Sequence, residues 1–492
     1  MKFLIIAMSP QFLRPFIPTI RELASRGHAV TVAWHVESRG GEAHLAELEG
    51  CPGVTCTTVS GKRSEHREEV TLIRRLWNYL RYLDRPYLGA AKLRRRAFVK
   101  VARAFFDARS EVRTEWSDAV TARLSPREVR RLLGLLSFVE RQLSTDPLCD
   151  VFLEAHRPDA VLLTPLVDLN SSTQADYAQS ARRMRIPVGM LAYSWDNLST
   201  KGGLHVMPDR IFVWNNKQAR EARDLHAVPG SAITVVGAPR FDAFLACRRG
   251  SKPKAFAAEL GFDPASPIIT YVCSSAFVSG NELPFVREWV RAVRSAPDPA
   301  VRGANIIVRP HPDIALTPPD EPAAKVTIGT NIVAGSVWRP FDDDRAIVLG
   351  TTQRTPDSLF EVLIHSAAVV GLNTSAEIEA ALLSKPVLSI LAGRDAADGQ
   401  EDTLHFRYLL REEGGWVDKA ATLSEHVAQL SAALTLSEEE LGLRRVRALR
   451  FVRPLGRQKA VAPLLADAIE AAWASTPLSP PTSSAPLASA TP

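Results

Sequence analysis

The five cysteines of this 492-residue sequence (Cys51, Cys56, Cys149, Cys247 and Cys273) are odd in number, scattered, and form no CxxC pair. A disulfide scaffold and a cysteine-based zinc site are thereby excluded, and a reducing compartment is expected. Long apolar runs are also missing. The opening run, Phe3 to Met8, has six residues, too short for a signal-peptide core, and no later stretch reaches the roughly 18 residues of a membrane span. A soluble, cytoplasmic protein is the expectation. There is no GxGxxG either: the first loop reads Ser9-Pro10-Gln11, so nothing argues for a dinucleotide cofactor.

What is present is an ordinary globular composition, 46% hydrophobic and 23% charged, long enough for two large units or about three of average size. Apolar runs at 3–8, 29–34, 160–164, 187–192, 211–214 and 233–236 read as strands, with helical periodicity over 12–26. A polar, turn-rich break follows at Arg248 to Pro253, and a second series of strands begins: 267–272, 305–309, 346–349, 368–371 and 386–391. Helical patterns at 281–295, 357–367 and 376–384 separate them. This alternation predicts an α/β protein of two facing, Rossmann-like, doubly wound domains. The expected division is 1–245, 246–455, a helix at 456–475 crossing back to the first domain, and a disordered tail at 476–492. A helical insertion is expected at about 62–148.

The charge is uneven. Net charge is +6, yet Lys62 to Arg113 holds 15 Lys/Arg against six acids. Leu72, Leu76, Trp77, Tyr79, Tyr82, Phe98 and Phe105 lie among the arginines, the pattern of basic amphipathic helices. Two readings follow: a patch that meets an anionic membrane or a polyanionic acceptor, or a solvated face whose aromatics pack on the domain. No nucleic-acid module accompanies the charge, so nucleic acid is not expected as a partner.

Three post-strand loops of the second half carry polar chemistry. Ser274 and Ser275 can hold a phosphate on hydroxyls and backbone N–H groups. Arg309-Pro310-His311-Pro312 presents a guanidinium and an imidazole at one strand end; both can bind phosphate, and His311 can protonate a leaving oxygen. Asn373, Thr374 or Ser375 can cap the next helix, whose N-terminus suits a diphosphate, with Glu377 placed for ribose hydroxyls. Plain capping, and a turn histidine, are the structural alternatives.

In sum these features resemble the GT-B glycosyltransferases over roughly residues 1–470. The opening, including Leu23 to Val32, is similar to that family's first strand–loop–helix. RPHP at 309–312 resembles the HP motif of bacterial sialyl- and polysialyltransferases and CDP-glycerol glycerophosphotransferases, and Asn373-Thr374-Ser375 their Ser/Thr motif. Ser194 to Gly202 looks like a stretch found in bacterial surface-polysaccharide proteins of this fold. The resemblance implies a nucleotide-sugar donor whose phosphates meet His311, Thr374 and Ser375, with Glu377 on the ribose. Many inverting members carry Gly-His in the first loop; Ser9-Pro10-Gln11 stands there instead, so that base is absent.

The expected activity is therefore metal-independent transfer of a sugar from a nucleotide donor to a glycan or lipid-linked acceptor, at the inner face of the cell membrane. Asp196, beside Trp195 and raised in pKa by desolvation, is the expected base on the acceptor side, with Asp168 as second candidate and Asn197 and Lys201 as neighbours; an Asx-type turn is the alternative for Asp196-Asn197. Asp342-Asp343-Asp344 reads as a solvated acidic turn, not a metal site. No cofactor is expected. A CDP-glycerol-type transferase, a nucleotide-sugar 2-epimerase and a non-catalytic nucleotide-binding protein are the competing readings.

Overall fold

The structure, a computed structural model, describes residues 1–35, 42–59, 66–87, 89–105, 112–113, 115–143, 146–170, 172–248, 252–274, 282–311, 324–326, 335–338, 343–350, 356–372, 374–390 and 403–473. Seven strands form the first sheet: β1 (Lys2–Ala7), β2 (Ala29–His35), β3 (Val54–Val59), β4 (Ala160–Thr164), β5 (Val188–Leu191), β6 (Arg210–Val213) and β7 (Ile233–Val235). All run parallel, in the order β3-β2-β1-β4-β5-β6-β7. The second sheet contains β8 (Ile268–Val272), β9 (Asn305–Arg309), β10 (Ala324–Val326), β11 (Gly335–Trp338), β12 (Ala346–Leu349), β13 (Ala368–Gly371), β14 (Val387–Ile390) and β15 (Val417–Ala420). Its order is β10-β11-β12-β9-β8-β13-β14-β15, parallel except that β11 pairs antiparallel with both β10 and β12.

Strands such as AVLLT in β4 and IITYV in β8 are buried at every position. Helices cover both faces of a parallel sheet, so apolar runs without alternation are what such strands require. Strand order reverses between β1 and β4 and again between β8 and β13. Those reversals open crevices at the carboxyl edges, where ligands of open α/β sheets bind.

Two elements differ from expectation at their starts. The first helix begins at Ile17, behind short 3-10 turns at Pro10–Phe12 and Arg14–Phe16, because prolines at 15 and 18 delay regular hydrogen bonding. The last helix spans Val461–Trp473. Its Leu465, Ala466 and Ile469 pack into the core beneath the first sheet, and Arg26 pairs with Asp467 and Glu470 at 2.7 Å each. Asp242 holds its beginning, accepting bonds from Val461 and Ala462 N–H at 2.6 and 3.0 Å while also pairing with Arg453.

The basic segment forms helices Arg67–Arg81 and Ala91–Ala102, followed by Glu115–Arg123, Pro126–Gln142 and Pro147–His156. Most of its aromatics face inward, although Phe105 and Trp116 are exposed. Tyr79, Leu80, Tyr82, Leu83 and Tyr87 build a satellite core with Leu93 and Val101, and Trp77 donates to Ser137 at 2.9 Å. Arg74, 1% exposed, bonds Glu140 at 2.7 Å, Asp176 at 2.6 Å and the Ser172 carbonyl at 2.9 Å. Much of the apolar face of these helices is used to dock them on the domain, and the described residues of 62–113 neither show nor exclude the expected membrane contact. Among the described residues, no helix is long and apolar enough to cross a membrane.

Candidate active site

The site is assembled from loops at the carboxyl edges of both sheets. On the first sheet, the loop after β5 carries Asp196. Its Oδ2 lies 3.2 Å from Lys201 Nζ and accepts from Thr200 Oγ1 at 3.1 Å. Burial pushes this carboxyl upward, but Lys201, His405 and a bond from Ser194 overrule it and hold the pKa well below the usual carboxylate range. The upward shift expected from the neighbouring indole is therefore corrected: Asp196 is a committed, ionised anchor and a weak proton acceptor. Asn197 serves the turn itself, its Oδ1 accepting from Ser194 N at 2.8 Å.

Asp168, in the loop after β4, is freer. It is half-buried, and its Oδ1 accepts only a 3.3 Å bond from Asn170 N–H, while Oδ2 makes no hydrogen bond among the described residues. Asn78 of the insertion fixes this loop by donating to the Asp168 carbonyl at 3.0 Å and accepting from Gly203 N at 2.9 Å.

The second domain reaches across with His405. Its Nδ1 lies 3.3 Å from Ser199 Oγ, and its ring stands edge-on to Trp195 with centroids 4.4 Å apart. Burial lowers its pKa to about 4 against the pull of Asp196, so the imidazole is neutral at pH 7. No local motif marks His405 in the sequence, and only the seam between the domains gives it Asp196 as a neighbour.

At the second sheet the candidates divide. Arg309, at the end of β9, is 7% exposed; Nη2 donates to Ser358 Oγ at 3.0 Å and Nη1 has no hydrogen-bond partner among the described residues. Burial lowers its pKa to about 10, which leaves it charged, and Glu379 opposes the shift. His311 follows, half-buried, one residue past Pro310. Ser274 is corrected as a phosphate ligand: its N–H donates to Glu282 at 2.7 Å and its hydroxyl to the Leu372 carbonyl at 3.3 Å. The Glu282 carboxylate, which also takes the Tyr271 hydroxyl at 2.7 Å, puts negative charge where phosphate would need positive. Ser275 and Asn373 lie outside the described residues.

Thr374 caps the helix Ala376–Leu382, its Oγ1 accepting from Ala376 N–H at 3.1 Å, whereas Ser375 makes no capping bond. Glu377 is also placed differently from expectation. It is fully buried, and a Cβ added to Gly371 would meet its Oε1 at 3.0 Å. Glycine at 371 makes room for that carboxylate, which lies tucked under the strand end and not along the open edge where a ribose would sit.

Glu379, two residues along the same helix, is the carboxylate that meets charges of the first domain. Burial raises its pKa to about 6, opposed by Arg240, Arg14 and Arg309 in that order. Arg14 belongs to the 3-10 turn after β1 and Arg240 begins the helix Arg240–Ala246 after β7. Three guanidinium groups from separate elements thus act electrostatically on one buried carboxylate. Glu379 had no sequence signal of its own, since its neighbours come from positions 70 to 365 residues away.

Among the described residues, no group of three or more His, Cys, Asp or Glu is arranged to hold a metal ion. In the acidic turn, Asp343 is tied to Arg294 at 2.6 Å and to Arg345 N–H at 2.9 Å.

The chain has the GT-B type of fold, two Rossmann-like domains facing across a cleft. It is similar in structure to the UDP-GlcNAc 2-epimerase of Neisseria meningitidis bound to UDP-GlcNAc, with a TM-score of 0.53 and 12% identity over 96% of this chain and 100% of that one. It is also similar to S. aureus MnaA with UDP (0.52, 11% identity, 95% and 96% covered) and to Anabaena HepE with UDP (0.50, 9% identity, 96% and 100% covered). No protein-family model and no curated protein sequence matches the chain.

Proposed function

We propose that this protein is a metal-independent glycosyltransferase that takes a sugar from a nucleotide donor. The observation that carries the reading is the buried Arg309 with its unbonded Nη1, set beside Glu379 and within reach of Arg14 and Arg240. A buried guanidinium N–H left unbonded is costly, and a diphosphate would satisfy it by a charge-assisted bond. The same cations would stabilise a leaving nucleotide diphosphate, the charge that develops during glycosyl transfer. His311 stands next in the chain to donate a further bond.

On the acceptor side, Asp168 is the carboxylate left to take the hydroxyl proton, because Asp196 is neutralised by Lys201. Asp196, Lys201 and neutral His405 then orient the acceptor loop. The acceptor is a glycan or a lipid-linked glycan in this reading, and the reaction belongs to surface polysaccharide or glycolipid assembly at the cytoplasmic face of a membrane.

The solved structures of similar fold favour one second reading, an epimerase, since one of them is a UDP-GlcNAc 2-epimerase bound to UDP-GlcNAc. Product analysis separates the two: an epimerase inverts the sugar on its nucleotide without acceptor, whereas a transferase releases nucleotide only when acceptor is present. Calorimetric titration with UDP, GDP, CDP and CMP tests the shared premise. One nucleotide is expected to bind, and Arg309→Gln to weaken it by about tenfold or more. No binding at millimolar concentration would end both readings.

A further inference from the structure

Helix Ala91–Ala102 has two faces of different character. Leu93, Ala97 and Val101 recur every four residues and are buried in the satellite core. One position behind them, Lys92, Arg96 and Lys100 recur at the same spacing and Arg103 continues the row, so all four lie along one side. Arg96 and Lys100 are half-buried on this side. Arg96 interacts with both Asp196 and Asp168, and Lys100 with Asp168. The row therefore runs towards the two loops at the carboxyl edge of the first sheet.

Helix Arg67–Arg81 forms the other wall. It is locked onto the same loops: Arg81 donates to the Gly202 carbonyl at 2.6 Å and the Leu198 carbonyl at 3.2 Å, and Asn78 bridges Asp168 and Gly203. Arg75 projects from this helix towards Lys100, with its Nε buried and unbonded among the described residues. None of Arg75, Lys100 and Arg103 has an ion-pair partner among the described residues. Burial, with repulsion from Arg96, Arg75 and Arg103, lowers the Lys100 pKa. Among the described residues, five cations, counting Lys201 and the exposed Arg103, thus stand near the two carboxylates Asp168 and Asp196. Half-buried like charges repel and destabilise the fold unless an anion offsets them.

We propose that Arg75, Arg96, Lys100 and Arg103 form an anion-binding subsite that holds a phosphate or pyrophosphate group of the acceptor next to Asp168. This rests on the transferase reading and narrows it: the acceptor is a phosphorylated one, and the helical insertion exists to read its charge. A phosphate held there would bring the adjoining sugar hydroxyl to the Asp168 carboxylate. It would also keep the donor diphosphate and the acceptor phosphate on separate arginine sets, Arg309 for one and the insertion row for the other.

The test is calorimetric titration of the full chain with inorganic pyrophosphate, with UDP saturating the donor cleft. Wild type is expected to bind pyrophosphate, the triple variant Arg96→Gln/Lys100→Gln/Arg103→Gln to lose at least about tenfold in affinity, and Arg309→Gln to keep it within about twofold. Lys100→Glu alone, a change on a half-exposed position, is expected to give the same direction should the triple variant fold poorly. Pyrophosphate binding that survives these changes would overturn the proposal. So would vesicle sedimentation in which wild type is retained on phosphatidylglycerol and the triple variant is not, while pyrophosphate fails to bind, since the row would then read a lipid headgroup. If UDP does not bind but pyrophosphate binds through the row, the subsite stands and the nucleotide reading falls.

Discussion

A buried carboxyl with few bonds reports its surroundings through its pKa, and Glu221 does so most clearly. It is 3% exposed and accepts no hydrogen bond among the described residues, although the Tyr408 hydroxyl of the second domain lies close by. Burial raises its pKa to about 8. A carboxyl raised on folding adds stability below its unfolded value, near 4.5, and that contribution is lost as pH rises through 8. Glu221→Gln is therefore expected to match wild type near pH 5 and to exceed it by about 2 kcal/mol at pH 9 in denaturant unfolding. Parallel curves for the two proteins across that range would contradict the assignment. For Asp168, replacement by Asn is expected to lower kcat by a factor of about 10²–10⁴ while leaving nucleotide affinity in place, read by steady-state assay and calorimetry. If affinity falls with kcat, Asp168 belongs to donor binding instead.

Among elements, those with unbroken apolar runs were legible from the sequence, the edge strand β7 included, and the polar edge strands β3 and β15 were not. β4, β8 and β9 are buried throughout and announce themselves. β3 (VTCTTV) and β15 (VDKA) end their sheets and carry exposed or half-buried polar residues, so their runs resemble loops. The insertion shows the same limit for faces. Its arginines and aromatics fit either a membrane stripe or a docked helix pair, and only tertiary packing shows the docking. Arg74 makes that docking costly to lose: Arg74→Ala would leave buried Glu140 with His205 as its remaining partner and Asp176 without its Arg74 bond, and a loss of about 3–5 kcal/mol is expected in denaturant unfolding. Asp242 has the same importance for the crossing helix. Asp242→Ala leaves Arg453 and two helix N–H groups unpaired, for an expected loss of about 2–4 kcal/mol. A stability change below about 0.5 kcal/mol in either variant would show that the ion pair is replaceable by water.

Across the whole molecule, function is expected to come from the seam. Lys217 reaches the Tyr408 carbonyl at 3.3 Å, Asn215 donates to the Phe451 carbonyl at 2.9 Å, and one hydrophobic cluster includes Leu163 and Trp214 together with Val369 and Trp416. Arg14, Arg240, Arg309 and Glu379 converge only because the sheets are held edge to edge in this way. That convergence explains why Arg309 could be picked from the sequence, by its place at a strand end, while Glu379 and His405 could not. Each of the latter gains its neighbours from the other domain. The most direct measurement is a crystal structure of the chain with UDP. The account predicts a diphosphate oxygen within hydrogen-bond distance of Arg309 Nη1, on the cleft side of Glu379. A nucleotide bound elsewhere, with Arg309 Nη1 still unbonded, would contradict it.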